Sequence, residues 1–521
     1  MTVHRLPALR PACLLLAALC ACGAFAKEAP VELVPRLVEK HHVYASAPNE
    51  FAGKPDARSF QYKIDGAALP DYGRDAAVAI RIRATDPDTS AVEVGFHQDD
   101  GTTWGCSGGL PITEDWQDVL LPLAEMHPFT HWQHHPPVAP GACPDARRFR
   151  AVHFCFGKWL CARSLAKPHG FEIASIQLVR LAPGALGDGR DHSLDEFPAE
   201  EGEADDTARI QRAVNASRDG VLTIPRGVYR VSAPIRVTNR CSLQLNKSAV
   251  LMAVAPMRYV LEVDARSFGN GRNHDYNKFI RGGVIDGNGL ASCMRLTGFA
   301  HFTLADTTFL NGKPYGLRVD GGYELIANNL YFKCLMSGLA GNSAIYVNGG
   351  DSHYTDCVVV DYTYGIHQVG GGSNRYTRCH VWGGPLPPAK PGEDREMLKD
   401  SVNFKLAGGG STILRDCYAD TGKTGYEVAA WDTRLLGCSY FNNKGFGLDD
   451  VTIIRHTRGR LLVSECGFCK NMPKTRVYDG TGEVEWHNMS YSGFGPQDDC
   501  PGALTFKRKS AVDQSALKLA E

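Results

Sequence analysis

Tyr354-Thr355-Asp356-Cys357-Val358-Val359-Val360 and Tyr376-Thr377-Arg378-Cys379-His380-Val381-Trp382 share one pattern, which returns around Cys417, Cys438 and Cys466. In each copy the cysteine follows a Tyr, Leu or Val by three residues (Tyr354, Tyr376, Leu414, Leu435, Val463). It precedes a Val, Ala, Tyr or Phe by two (Val359, Val381, Ala419, Tyr440, Phe468). With Ile285, Thr307 and Asn329 placed in the same slot upstream, the spacings are 22, 22, 28, 22, 38, 21 and 28 residues. A unit of 22 with insertions marks a solenoid, in which each repeat buries its apolar face only against its neighbours.

The unit consists of short β-type runs between Gly, Asn and Asp turns, as in 354–360 and 364–369, with no helical periodicity. A leucine-rich repeat needs a fixed leucine spacing and a helical return, and neither is present. The expectation is an all-β chain built on a right-handed parallel β-helix, with coils about 4.8 Å apart. At that spacing in-register cysteines are too far apart for the usual disulfide Cβ separation of about 3.8 Å, so the column reads as core packing.

Residues 1–26 carry His4, Arg5 and Arg10, an apolar run from Ala12 to Ala21 and a small-residue exit at Ala24-Phe25-Ala26. That is the anatomy of a secretory signal, which would start the mature chain at Lys27 and make the protein exported, periplasmic or secreted. Leu19-Cys20-Ala21-Cys22 also resembles a bacterial lipobox, which would instead give an outer-membrane lipoprotein anchored at Cys22. No later apolar stretch approaches the roughly 20 residues of a transmembrane helix. The 56 basic and 57 acidic residues argue against a protein that coats nucleic acid by global charge. Export lets cysteines outside the ladder oxidise, with Cys106 and Cys143, Cys155 and Cys161, and Cys469 and Cys500 as candidate pairs.

A chain of 521 residues exceeds one core. Residues 27–182 hold alternating runs such as Val78-Ala79-Ile80-Arg81-Ile82-Arg83 and Val92-Glu93-Val94-Gly95-Phe96, the pattern of an antiparallel β-sandwich. Runs 116–123, 149–156 and 171–181 look like its closing strands and resemble those of galactose-binding-like jelly rolls. His127, His131, His134 and His135 surround Trp132 in a Pro-rich loop, but no helix aims them together, so no metal site is assigned. Trp104, Trp132 and Trp159 are either sugar-stacking faces or sandwich core. A Gly, Asp and Glu-rich linker, 183–204, leads to the solenoid at 205–495, and 496–521 is a tail.

The solenoid opens with Asp205-Asp206-Thr207-Ala208-Arg209-Ile210-Gln211-Arg212-Ala213-Val214, an Asp-rich helix start with Ile210, Ala213 and Val214 on one face. A strand at 221–224 and the run Pro225-Arg226-Gly227-Val228-Tyr229 follow. Together with Gly282-Gly283-Val284-Ile285-Asp286-Gly287-Asn288-Gly289, this block resembles the opening of the pectate lyase superfamily and its family 28 glycosidase relatives. The resemblance runs from about Ala204 to Phe494 and implies a β-helix whose open end the helix caps. The family's hydrolase signatures, Asn-Thr-Asp and Gly-Asp-Asp, are missing; Asn348-Gly349-Gly350-Asp351 is the nearest run, so no Asp triad carries over. Lyase relatives often hold Ca²⁺ with Asp, Asn and Glu, which keeps Ca²⁺ open as a cofactor, although no compact oxygen-ligand motif occurs.

Aligning the coils on the cysteine slot brings a second strand into line, of the form apolar, X, mostly apolar. Its X positions are Glu262, Arg295, Arg318, Tyr346, His367 and Lys405, continuing to Glu427 and Asp449. Strand alternation puts X outside, so these groups should line one face a coil apart. Breaking a uronate link by β-elimination needs a cation on the carboxylate, a base for the C5 proton and an acid for the leaving oxygen. Arg295 or Arg318, His367 or Lys405, and Tyr346 would fill those roles, with cations lowering the base's pKa. The catalytic candidates are thus Arg318, Tyr346, His367 and Lys405, with Glu262, Arg295, Asp320 and Glu427 binding substrate.

Glycoside hydrolysis needs two carboxyl groups about 5 to 9.5 Å apart, for which Asp320 with Asp351 and Glu427 with Asp449 are the pairs. Asp306, Asp356, Asp416 and Glu465 precede the ladder slot and read as turn formers. Inserts 266–277, with Arg272 and His274, and 384–400 would wall the groove. The leading expectation is an exported enzyme that cleaves an acidic, uronate-containing polysaccharide by β-elimination. A glycoside hydrolase using paired carboxylates and a non-catalytic glycan-binding protein are the alternatives.

Overall fold

The computed structural model describes residues 29–34, 41–45, 59–85, 89, 91–105, 110–128, 142–155, 168–182, 190–218, 220–237, 241–264, 278–299, 301–334, 341–383, 399–442, 448, 450–495 and 498–502. The signal segment, Cys22, insert 266–277, His131, His134, His135, Trp132 and Trp159 lie outside them. No helix among the described residues is long and apolar enough to cross a membrane.

The protein is all-β: an antiparallel sandwich followed by a right-handed parallel β-helix. The sandwich strands expected near 78, 92, 116, 149 and 171 are Ala76–Ala84, Ala91–Gln98, Gln117–Pro122, Phe149–Cys155 and Pro168–Arg180. They divide between two sheets whose facing sides supply Ile80, Ile82, Val94, Phe96, Phe149, Phe154, Phe171 and Ile176 to one core. Trp104 is buried there, its indole N–H donating to Gln98 Oε1 at 2.9 Å.

Each coil of the helix carries three strands, for example Thr308–Leu310, Tyr315–Tyr323 and Ile326–Asn328, and each pairs in parallel with its counterpart one coil on. Cys357, Cys379, Cys417, Cys438 and Cys466 form the expected column, fully buried and unbonded. The thiols of Cys379, Cys417, Cys438 and Cys466 donate to carbonyls of the preceding coil, Cys379 to Tyr354 O at 3.4 Å. Upstream the column passes through Gly283, Thr307 and Leu330, because Thr308, Tyr331 and Val358 donate their N–H groups to those three carbonyls. Ile285 is therefore two residues past the slot and Asn329 one short of it.

Asp306, Asn329, Asp356, Asp416 and Glu465 precede the slot with φ of 52–58°. This left-handed corner suits Asn and Asp best, so the carboxylates there are turn formers, as expected.

Three segments differ from expectation. His192–Ser193 pairs in parallel with Val221–Ile224 and Leu194 enters the solenoid core, so part of 183–204 belongs to the first coil. Residues 498–502 fold back on the last coil through Lys470 Nζ to Asp498 (2.6 Å) and Tyr491 OH to Pro501 O (2.7 Å). Cys143, Cys469 and Cys500 are free thiols, which removes the 106–143 and 469–500 pairings; Cys161 lies outside the described residues. The capping helix is Thr207–Ala216, with Ile210, Ala213 and Val214 buried on the first coil. Asp205 accepts from the Thr207 N–H, while Asp206 ties down Arg230 N.

The solenoid interior also holds polar side chains, Gln368, Asn374 and Asn403 among them. Gln368 is fully buried and donates to Ala407 O (3.0 Å) and Thr412 Oγ1 (2.9 Å), while its oxygen accepts from Asn374 (3.2 Å) and Tyr376 OH (3.0 Å). A satisfied network of this kind rigidifies its strand, here the one carrying His367. Gln368→Leu strands these partners in the core and should lower stability by about 2–3 kcal/mol, read as a reduced urea midpoint.

Candidate functional site

The outward column forms as the alternation requires. Parallel pairing places Glu262 beside Arg295, then Arg318, Tyr346, His367, Lys405 and Glu427 on successive coils. Two ends differ from the reading. Arg236 precedes Glu262 in register, and Arg455, followed by Asp479, takes the place given to Asp449, which lies outside the described residues.

Asp320 sits beneath the column, 8% exposed, and its Oδ2 accepts Nε–H of both Arg295 (2.9 Å) and Arg318 (2.7 Å). Burial by itself would raise this carboxyl, but the two guanidinium charges and their hydrogen bonds hold it below the usual range. Burial opposes the charge on Arg318, yet Asp320 outweighs it and keeps the guanidinium firmly protonated. Each arginine meets Asp320 through Nε, and the Arg318 guanidinium also lies over the rings of Tyr315 and Tyr346, 5.3 Å from each centroid. The result is two cations for one carboxylate.

Tyr346 and His367 follow. Their rings meet edge to face at 5.3 Å, and Ser343 Oγ lies 3.2 Å from His367 Nδ1. Tyr364 packs against the same imidazole at 5.1 Å, and Lys405 Nζ stands 4.6 Å over the Tyr364 ring. Lys405 meets Glu427 at 3.4 Å, and Glu427 also meets Arg455 at 3.6 Å. A carboxylate is thus the charged partner of Lys405, where a cation was expected to lower its pKa.

The proposed hydrolase pair Asp320 and Asp351 is not assembled. Asp320 faces Asn348 in register, while Asp351 is an exposed turn residue with φ of 51°. Tyr259, Tyr315 and Tyr364 were missed as site residues, though they had a signal: each stands three residues before an X position. Ser292 and Ser343 alternate with them, the latter paired with both Tyr315 and Tyr364.

The carboxylates also bear on Ca²⁺. Glu262 is bonded to Arg236 (3.2 Å), Asp320 to two arginines and Glu427 to Lys405 and Arg455. Among the described residues no three His, Cys, Asp or Glu side chains group as metal ligands. This donor set, already engaged by cations, does not fit a Ca²⁺ site on the column.

No family model and no curated protein matches the chain. Among solved structures, the ORF18 protein of Geobacillus virus E2 is 17% identical with a TM-score of 0.43; the match covers 58% of this chain and 61% of that one. The catalytic unit of an α-1,3-glucanase from Streptomyces thermodiastaticus is 13% identical with a TM-score of 0.33, covering 91% and 97% of the two chains. An endo-xylogalacturonan hydrolase from Aspergillus tubingensis is 12% identical with a TM-score of 0.36, covering 60% and 96%. The fold assignment rests on this chain's own strand pairing, coil on coil, and on the cysteine column inside it.

Proposed function

We propose that the protein is a carbohydrate-active enzyme that cleaves a uronate-containing polysaccharide by β-elimination on this column. The observation that carries the reading is the Arg295–Asp320–Arg318 triad beside Tyr346 and His367. Two guanidinium groups oriented by one buried carboxylate suit a sugar carboxylate, and neutralising that carboxylate acidifies the C5 proton next to it. With His367 Nδ1–H donating to Ser343 Oγ, Nε2 carries the lone pair that takes the C5 proton. The released electron pair forms the C4–C5 double bond, the C4–O bond breaks, and the Tyr346 hydroxyl protonates the leaving oxygen. Lys405, engaged by Glu427, is left to bind substrate.

Glycoside hydrolysis has one observation in its favour. Glu427 and Asp479 lie two coils apart, on the order of 9.6 Å, with Arg455 between them. Incubating the protein with a panel of uronate and neutral polysaccharides, with and without a chelator, tests the reading. Cleavage confined to uronate chains and indifferent to the chelator is expected. Turnover of neutral chains alone contradicts it, and binding without turnover on any glycan points to a non-catalytic glycan-binding protein.

A further inference from the structure

The strand Thr424–Leu436 continues beyond the column. Its exposure alternates, with Tyr426, Val428 and Ala430 turned inward and Glu427, Ala429 and Trp431 outward. Trp431 is 71% exposed, the highest value for a large apolar side chain among the described residues. It lies four residues beyond Glu427, roughly 13 Å at the strand rise, at the corner where the pairing register shifts between Ala430 and Asp432. Between them the surface is low, because Ala429 is paired with Ala407 on the preceding coil. Beyond Ala407 comes Gly409, where a side chain would meet nothing within 4 Å.

The next coil adds a charge. Arg458 Nε donates to Ala429 O at 3.2 Å, which brings an exposed guanidinium to the strand that carries Trp431. The other cations of the column have carboxylate partners: Arg236 with Glu262, Arg295 and Arg318 with Asp320, Lys405 and Arg455 with Glu427. Arg458 makes no ion pair with any described residue. Its turn is held from below, where His456 bonds Arg458 O through Nε2 (3.0 Å) and Tyr478 OH through Nδ1 (3.1 Å). A Cβ at Gly459, whose φ is 86°, would meet Ala430 O, so the turn lies close against the Trp431 strand.

A single exposed hydrophobe is unremarkable on a protein surface. An exposed indole at the corner just beyond the column, with an unpaired guanidinium on the adjoining coil, is a more specific combination. We propose that Trp431 and Arg458 form a distal subsite for an acidic sugar, the ring stacking on the indole and its carboxylate meeting the guanidinium. This rests on the reading of the column as the site of cleavage, and it makes affinity depend on chain length.

Calorimetric titration with oligogalacturonates of two and six residues, with cellohexaose as the neutral probe, tests it. The wild-type protein should bind the hexamer more tightly than the dimer. Trp431→Ala and Arg458→Ala should each cut that advantage by about tenfold, Trp431→Phe much less, whereas Arg318→Ala should weaken both lengths. A wild-type protein without the advantage, an advantage that survives both alanine substitutions, or an equal Trp431-dependent gain with cellohexaose would each overturn the subsite. Absence of turnover with the advantage intact would sink the cleavage reading and leave the subsite standing.

Discussion

Asp320→Ala should be the most damaging single change on the site face, lowering stability by about 3–5 kcal/mol and abolishing measurable binding of acidic glycans. The carboxylate is buried and takes Nε–H from both Arg295 and Arg318. Removing it leaves two adjacent guanidinium groups, one 11% and the other 26% exposed at the side chain, facing one another without an anion. Asp320→Asn keeps the shape but not the charge and should fall between the two. Asp320 is therefore a positioning residue, and binding measured on folded variants separates that role from stability. The sign of the pH dependence follows. A carboxyl whose pKa is lower in the folded state contributes stability that is fully present above its unfolded pKa of about 3.9 and is lost as pH falls through the folded value. Acid unfolding of the Asp320→Asn protein should accordingly show a weaker pH dependence in that window.

His367→Ala should lower kcat by about 10²–10⁴-fold with little change in KM, since its proposed work is proton transfer and the arginines hold the substrate. Ser343→Ala removes the hydroxyl 3.2 Å from His367 Nδ1 and should reproduce a small part of that loss, with a shifted pH–rate profile. Lys405→Ala should act mainly on KM. If instead Glu427→Gln abolishes turnover while His367→Ala spares it, the chemistry belongs to the carboxylates and the reaction is hydrolysis.

The solenoid and its outward column were legible because parallel coils repeat their register. Once Cys357, Cys379 and Cys417 were aligned, the positions of His367 and Lys405 followed, and the structure pairs them as aligned. Legibility failed where no side chain marks the coil. Upstream of Cys357 the slot holds Gly283, Thr307 and Leu330, whose different sizes hide the column, and the alignment slipped by one or two residues. Downstream, Cys438 and Cys466 stand 28 residues apart, so the 22-residue unit no longer counts out the register, and the column resumes at Arg455.

Partners were harder to read than positions. Strand alternation says that Arg318 faces outward, but not that Asp320, two residues on, is the anion shared with Arg295. The tyrosine at every second coil, Tyr259, Tyr315 and Tyr364, lies one residue off strict alternation from the column, so a period-2 reading puts it inside. In the structure Tyr315 and Tyr364 are half-buried beside the column, against Arg318 and His367.

Elimination on this column is tested most directly by the ultraviolet absorbance of the products released from a uronate polysaccharide, run beside the same polymer with its carboxyl groups reduced to alcohols. An absorbing, unsaturated product is expected from the native polymer, none from the reduced one, and release from the native polymer slower by about 10²–10⁴-fold with the His367→Ala protein. New reducing ends without ultraviolet absorbance, or equal cleavage of the reduced polymer, would contradict it.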